Sequence, residues 1–316
     1  MTADPALAFV LGTGRCGSTL VHEVLARHPE VGFLSNVEDR VPLPPVAGRF
    51  NNDLYRLMPP GSTRKGRVRF APSEGYRALE RSVSPLVSAP LRDLVAEDVT
   101  PWLDARMRRF FGARAQAQGR PLFLHKFTGW PRARFLARIF PEARFVHVVR
   151  DGRAVANSFL QMPWWRGYEG PEAWGWGPLP AGYAAEWEAS DRSFALLAGL
   201  EWKLLMDAFE QARAEIPAER WLELRYEDFV ASPREVTATA LEFLGRDWDP
   251  AFERGFARTH VESGRTDAYR GDLGIRDVAL LDASLRDHLA RYGYARSAER
   301  GAGDETVEGD HTGTNV

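Results

Sequence analysis

The sequence predicts an α/β fold, a central parallel sheet flanked by helices in one domain. Short apolar runs of strand length alternate with amphipathic stretches along most of the 316 residues. Two of those runs, ending at Gly12 and Arg150, pass through a glycine straight into a helical pattern, the strand–loop–helix unit of parallel sheets. No internal repeat divides the chain.

Ala8–Leu11 reads as a short buried strand, and Leu20, Val21, Val24 and Leu25 at helical spacing follow its glycine loop. "RHPEVGF" stops that helix at Pro29 and leads into a second strand. From residue 41 to 92 the chain is rich in Pro, Gly, Ser and Arg, a long irregular excursion with room for one helix. "LRDLVAEDVTPWLDARMRRFFGARAQAQG" is helical, "PLFLHKF" is a strand, and "PRARFLARIF" is a basic helix. "ARFVHVVRD" is the strongest strand signal, and "GRAVANSFLQ" opens the next helix. A second excursion, 161–182, carries four of the ten tryptophans. One long helix is expected from about Tyr183 to Ala214, then the strand "RWLELRY", the helix "PREVTATALEFLG" and a closing helical stretch, "DVALLDASLRDHLARYGY". The domain thus covers 1–296. Residues 297–316 are polar, acidic and aperiodic, and are expected to be a disordered tail.

Composition excludes several classes. A net charge of −2 argues against nucleic acid as the main partner. One cysteine, Cys16, cannot form an internal disulfide or a cysteine-based metal cluster, and it suits a reducing compartment. The seven histidines lack ligand spacing, so no metal site is expected. No apolar run reaches the ~18 residues of a membrane span. A soluble, cytoplasmic protein is expected, and a homodimer is left open.

The stretch "FVLGTGRCGSTLVHEVL" has the glycine spacing of a phosphate cradle, with serine where lysine usually stands. A glycine loop between strand and helix aims backbone N–H groups and the helix's positive end at an anion. Gly12, Gly14 and Gly17 allow the tight turn, Arg15 adds a permanent cation, and Ser18 and Thr19 add hydroxyl donors. Cys16 is read as a donor through its backbone N–H only. A second strand end, "FVHVVRDGRAVANSF", places Arg150 at the sheet's ligand-binding edge and Ser158 two turns into the next helix. Two basic sites on one edge imply a ligand with two separated anionic groups.

Together these segments resemble the sulfotransferases that use 3′-phosphoadenosine 5′-phosphosulfate (PAPS). "GTGRCGSTL" is similar to their 5′-phosphosulfate loop, in the arginine form of bacterial members and tyrosylprotein sulfotransferases. "VVRDGRAVANS" is similar to their 3′-phosphate element, an arginine with a serine eight positions on, here Arg150 and Ser158. "LELRYEDFVASPREVTATALEFLG" and "LARYGY" resemble later family blocks, so the likeness spans residues 9 to 294 in family order. The resemblance implies a P-loop-like fold, PAPS as co-substrate without metal, and sulfuryl transfer to a hydroxyl or amine of a small molecule, saccharide or peptide. Carried over residue by residue, Gly14, Arg15, Cys16, Gly17, Ser18 and Thr19 hold the phosphosulfate. Tyr226 faces the nucleotide, and Arg270, with Arg265 near it, completes the 3′-phosphate site. Lys126 in "FLHKFTGW" is the second cation at the reacting group. Glu38, with Asp39 beside it, is the expected base, although counting from Arg15 without a gap puts Asn36 at the family's glutamate position. His22, His125 and His147 are the fallback bases.

The tryptophan stretch is either a packing flap or an aromatic wall over the acceptor. Two other functions stay open on the residues alone. A P-loop small-molecule kinase would want the missing lysine and a magnesium-binding acid. A non-catalytic nucleotide-binding protein would leave Glu38 and Lys126 outside the cleft.

Overall fold

A computed structural model of the protein describes residues 5–58, 70–259, 261 and 266–294. Its centre is a five-stranded sheet, β1 (Ala6–Gly12), β2 (Val31–Gly32), β3 (Leu122–Thr128), β4 (Arg144–Val149) and β5 (Trp221–Arg225), in the order β2-β3-β1-β4-β5. Every pairing is parallel. The side-chain period of two explains why the strands are continuous apolar runs. Phe9 and Leu11 of β1 enter one core with Phe123, Phe127 and Phe145, while Ala8 and Val10 enter the other with Leu124, Val146 and Val148. Burying a ring such as Phe9, fully enclosed, contributes about 1.5–3 kcal/mol.

The helices cover both faces of the sheet. The Phe194–Glu215 helix packs along the Gly152–Leu160 helix on one face, and the Ser18–Leu25 helix covers the other with the Pro233–Phe243 helix. Arg153, fully buried, ties its helix to the Ile275–Ser284 helix through 2.6 Å ion pairs to Asp151 and Asp282. β2 and β3 lie on one side of β1, and β4 and β5 on the other. The chain therefore changes sides at β1, and the crevice beyond the strands' C-terminal ends is where such open sheets bind ligands.

Two expectations change. The long helix from Tyr183 is two helices, Ala181–Ala189 and Phe194–Glu215. Asp191 and Arg192 turn into the left-handed region between them, at φ 61° and 57°, and Ser193 caps the second by accepting from the Leu196 N–H. The 41–92 excursion carries more than one helix. Among the described residues it forms a 3-10 turn, Pro45–Phe50, and the helices Asn51–Leu57, Tyr76–Ser82 and Pro85–Ser88. The tail 297–316 and Arg265 lie outside the described residues. No described helix is long and apolar enough to cross a membrane.

Candidate active site

The glycine loop wraps the end of β1. Gly14, Arg15 and Gly17 all have positive φ, 86°, 53° and 91°. For arginine that conformation costs on the order of 1 kcal/mol. Gly17 has a second constraint, since a β-carbon there would lie 2.2 Å from the Tyr226 ring. Gly17 also caps the Ser18–Leu25 helix without any side-chain hydrogen bond, so the first-turn amides keep their capacity for an anion. Cys16 is fully buried, and a β-carbon on Gly12 would come within 2.3 Å of its Sγ. Its thiol is thus a packing group beneath the loop.

Arg15 reaches across the crevice, its Nε donating to Ser158 Oγ at 2.8 Å. Arg150 donates from Nη1 to the Arg15 carbonyl at 3.0 Å, and its guanidinium lies 4.7 Å from the Tyr226 ring centre. Asp151 also turns toward the following helix. It caps the next helix through the Arg153 N–H and pairs with the Arg153 side chain. The sequence-adjacent Arg150 and Asp151 thus point apart, Arg150 lining the crevice and Asp151 pairing with buried Arg153.

Lys126 leaves β3 two residues before its end and is almost wholly buried. Its Nζ donates to Thr19 Oγ1 at 2.5 Å and lies 3.1 Å from the Glu74 carboxylate. Two cavities open here. A larger one of about 590 Å³ is lined by Gly14, Arg15, Ser18, Thr19, Lys126 and Glu74, with Asn36, Arg40 and Trp164 among its other walls. A smaller one of about 240 Å³ is lined by Arg15, Arg150, Ser158, Tyr226, Asn157 and Tyr269. Arg15 belongs to both.

Several expected residues lie elsewhere. Glu38 does not line either cavity. It is buried, and its Oε2 accepts from the Ser35 N–H at 3.1 Å, the Ser35 hydroxyl at 2.9 Å and the Asn51 amide. The motif is a capping box that starts the Asn36–Arg40 helix, so this carboxylate is occupied by its own backbone and turned from the crevice. That corrects the expectation that it deprotonates the acceptor. Asp39 accepts from the Ala78 N–H at 3.0 Å and holds the Tyr76–Ser82 helix. Asn36 lines the larger cavity, as the ungapped count places it. Arg270 sits on the Tyr269–Asp272 helix, 3.6 Å from Asp267, and the cavity wall of that stretch is made instead by Ala268 and Tyr269.

The three fallback histidines are packed in the core. Burial holds the His22 and His147 imidazoles below their ordinary value and pushes His125 down to about 3, with Arg114 and Lys126 adding to the last. The tryptophan stretch divides its work. Trp164 faces the larger cavity. Trp165 donates to buried Glu201 at 2.8 Å, Trp174 donates to the Gly177 carbonyl at 2.6 Å, and Trp176 packs on Gly129. One segment thus holds a tryptophan that lines the cavity and others that pack.

Glu74 is the residue that reading the sequence missed. It stands in "PSEGY" within an irregular excursion, where no periodicity singles out a carboxylate.

The family follows from one comparison. A family model described as "Sulfotransferase family" matches residues 6–250. The chain belongs to the sulfotransferase family. It is an enzyme of sulfuryl transfer, and its α/β sheet is the family's. A solved sulfotransferase from Mycobacterium avium superposes with a TM-score of 0.62 at 15% identity, covering 93% of this chain and 78% of the other. The sulfotransferase domain of the Synechococcus PCC 7002 olefin synthase aligns over 89% of this chain and 95% of its own, at 20% identity and a TM-score of 0.45. At such identities the likeness concerns the fold.

Proposed function

We propose that this sulfotransferase takes its sulfuryl group from PAPS and passes it to a hydroxyl or amine of a small molecule, saccharide or peptide. One observation carries the reading. Arg15 bonds Ser158 from within the phosphate loop, so the two anion sites form one continuous surface. That surface suits a ligand with a phosphosulfate at one end and a separate 3′-phosphate at the other. In this reading the loop amides, Ser18 and Thr19 hold the 5′ end, Arg150 and Ser158 hold the 3′-phosphate, and Tyr226 borders the nucleotide. Arg270, next in sequence to the wall residue Tyr269, is kept in this reading as an outer charge for the 3′-phosphate.

Sulfuryl transfer is an in-line displacement with charge spreading onto the equatorial and leaving oxygens. Arg15 and Lys126 answer that charge from fixed positions, which is where preorganised donors are worth most. As the acceptor oxygen bonds sulfur, the bond from sulfur to the 5′-phosphate oxygen breaks, and its electrons stay on that phosphate. Thr19 keeps the Lys126 ammonium at the loop before and after the step. The single cysteine is consistent with work in a reducing cytoplasm.

Calorimetric titration with adenosine 3′,5′-bisphosphate and, separately, ATP with magnesium tests the donor. Binding of the bisphosphate in preference to ATP supports PAPS. Binding of ATP–magnesium alone points to a kinase-like nucleotide site, and binding of neither to a degenerate one.

A further inference from the structure

We infer that Glu74 is the general base that removes the acceptor's proton. The inference rests on the sulfuryl-transfer reading above and assigns the one role which Glu38 vacates.

Glu74 is far from the phosphate loop in sequence, yet the fold brings it to the reacting end. Residues 71–73 pair antiparallel with 34–36. Asn36 N–H donates to the Ala71 carbonyl at 3.0 Å, Ser73 N–H to the Leu34 carbonyl at 2.8 Å, and the bridge centres on Ser35 and Pro72. Gly75 then turns at φ 64°, where a β-carbon would meet Leu34 at 3.0 Å, and it caps the Tyr76–Ser82 helix. Tyr76 clamps the far side, its hydroxyl taking the Thr128 N–H at 3.0 Å. Glu74 is thus held on both sides by backbone that cannot drift far.

Its carboxylate is aimed inward. Oε1 accepts from Thr128 Oγ1 at 2.8 Å and lies 3.1 Å from Lys126 Nζ. Both contacts fall on one oxygen, so Oε2 has no partner among the described residues. The side chain lines the larger cavity and keeps 30% of its surface exposed. A base needs this combination: orientation by one oxygen, access by the other. Lys126 links the two halves of the reaction, touching Thr19 on the donor side and Glu74 on the acceptor side. An acceptor hydroxyl entering along the Trp164 wall reaches the carboxylate beside the sulfur held at Lys126. Glu74 takes the hydroxyl proton as the oxygen–sulfur bond forms, and it later returns that proton to water. Glu23, on the Ser18–Leu25 helix, lines the same cavity, whereas Glu74 is the carboxylate paired with Lys126 and Thr128.

The test uses the full chain, sulfur-labelled PAPS and water as acceptor, read as labelled sulfate released. Glu74→Gln keeps an oxygen for Thr128 but cannot take a proton. It is expected to bind adenosine 3′,5′-bisphosphate within about threefold of wild type and to release sulfate about 100-fold more slowly or worse, the usual worth of a positioned base. The acid limb of the wild-type rate profile disappears with it. Glu74→Ala should regain rate on addition of formate, a response that a merely structural residue does not show. Sulfate release by Glu74→Gln within threefold of wild type overturns the assignment. So does a wild-type chain that binds the bisphosphate but hydrolyses no PAPS, since a poised base in an open cavity acts on water. Loss of bisphosphate binding by wild type sinks the donor reading instead.

Discussion

The two halves of the crevice, which we assign to donor and to acceptor, are built by different means. The donor half is three strand ends: the loop after β1, Lys126 near the end of β3 and Arg150 after β4. Each side chain there is set by a strand register and by the helix or loop that follows at once. The acceptor half comes from the residues around Asn36, the stretch carrying Glu74 and the tryptophan segment, joined by contacts distant in sequence. The first kind of site is local and repetitive, and the second is assembled. Charge recognition demands fixed dipoles and cations, which strand ends supply cheaply in chain length. Shape and proton transfer depend on whichever residues a long excursion brings home.

The largest break in this contrast should come from Arg15→Ala, which severs the link between the two cavities. Bisphosphate affinity is expected to fall by about 1.5–3 kcal/mol, the range for hydrogen bonds to charged groups, by calorimetry. Turnover of labelled PAPS should fall further, because in the proposed reading the arginine also meets transition-state charge. Lys126→Ala should separate binding from chemistry. In the proposed reading the lysine faces the sulfuryl end, so the rate drops about 10²–10³-fold, as for removal of an oxyanion donor, with bisphosphate affinity nearly unchanged. Equal losses in both would place Lys126 on the nucleotide instead.

The flap over the acceptor half offers a pH test. Glu201 is fully buried, and its carboxyl is pushed up from 4.5 to about 8 by burial while Trp165 and Trp176 donate to it. The folded protein therefore keeps a proton that the unfolded chain has released. Stability should fall as pH rises from about 5 to 8, by on the order of 1 kcal/mol per unit at most. Glu201→Gln should flatten that slope in urea unfolding curves. It should leave the loss below 6.5 that the buried, neutral His125 imposes, because there the unfolded chain binds the extra proton. The smallest effect is expected from Glu38→Gln, which weakens a capping box. Stability should drop by about 0.5–1 kcal/mol, with sulfate release within threefold of wild type. A hundredfold loss would return Glu38 to the chemistry.

The central strands β1, β3 and β4 were legible because each is an apolar run buried on both faces, and the loop because its glycines stand between a strand and a helix. The helix break at Asp191 was not, because the apolar period continues through it and only Ser193 marks a start. Glu38 misled because a carboxylate three residues after a serine reads equally well as a cap and as a base. Its burial and the Asn51 contact decide between them.

By itself, the sequence determined the sheet, the glycine loop and the placing of Arg15, Arg150 and Ser158 along one crevice. Those depend on neighbours within about ten residues, and local chemistry dictates them. Only the tertiary structure decided which carboxylate faces the lysine. Glu74 meets Lys126 through a bridge to Leu34–Asn36 and a clamp on Thr128. Such long-range pairing leaves no period in the chain, because its energy is gained only when the distant segments close.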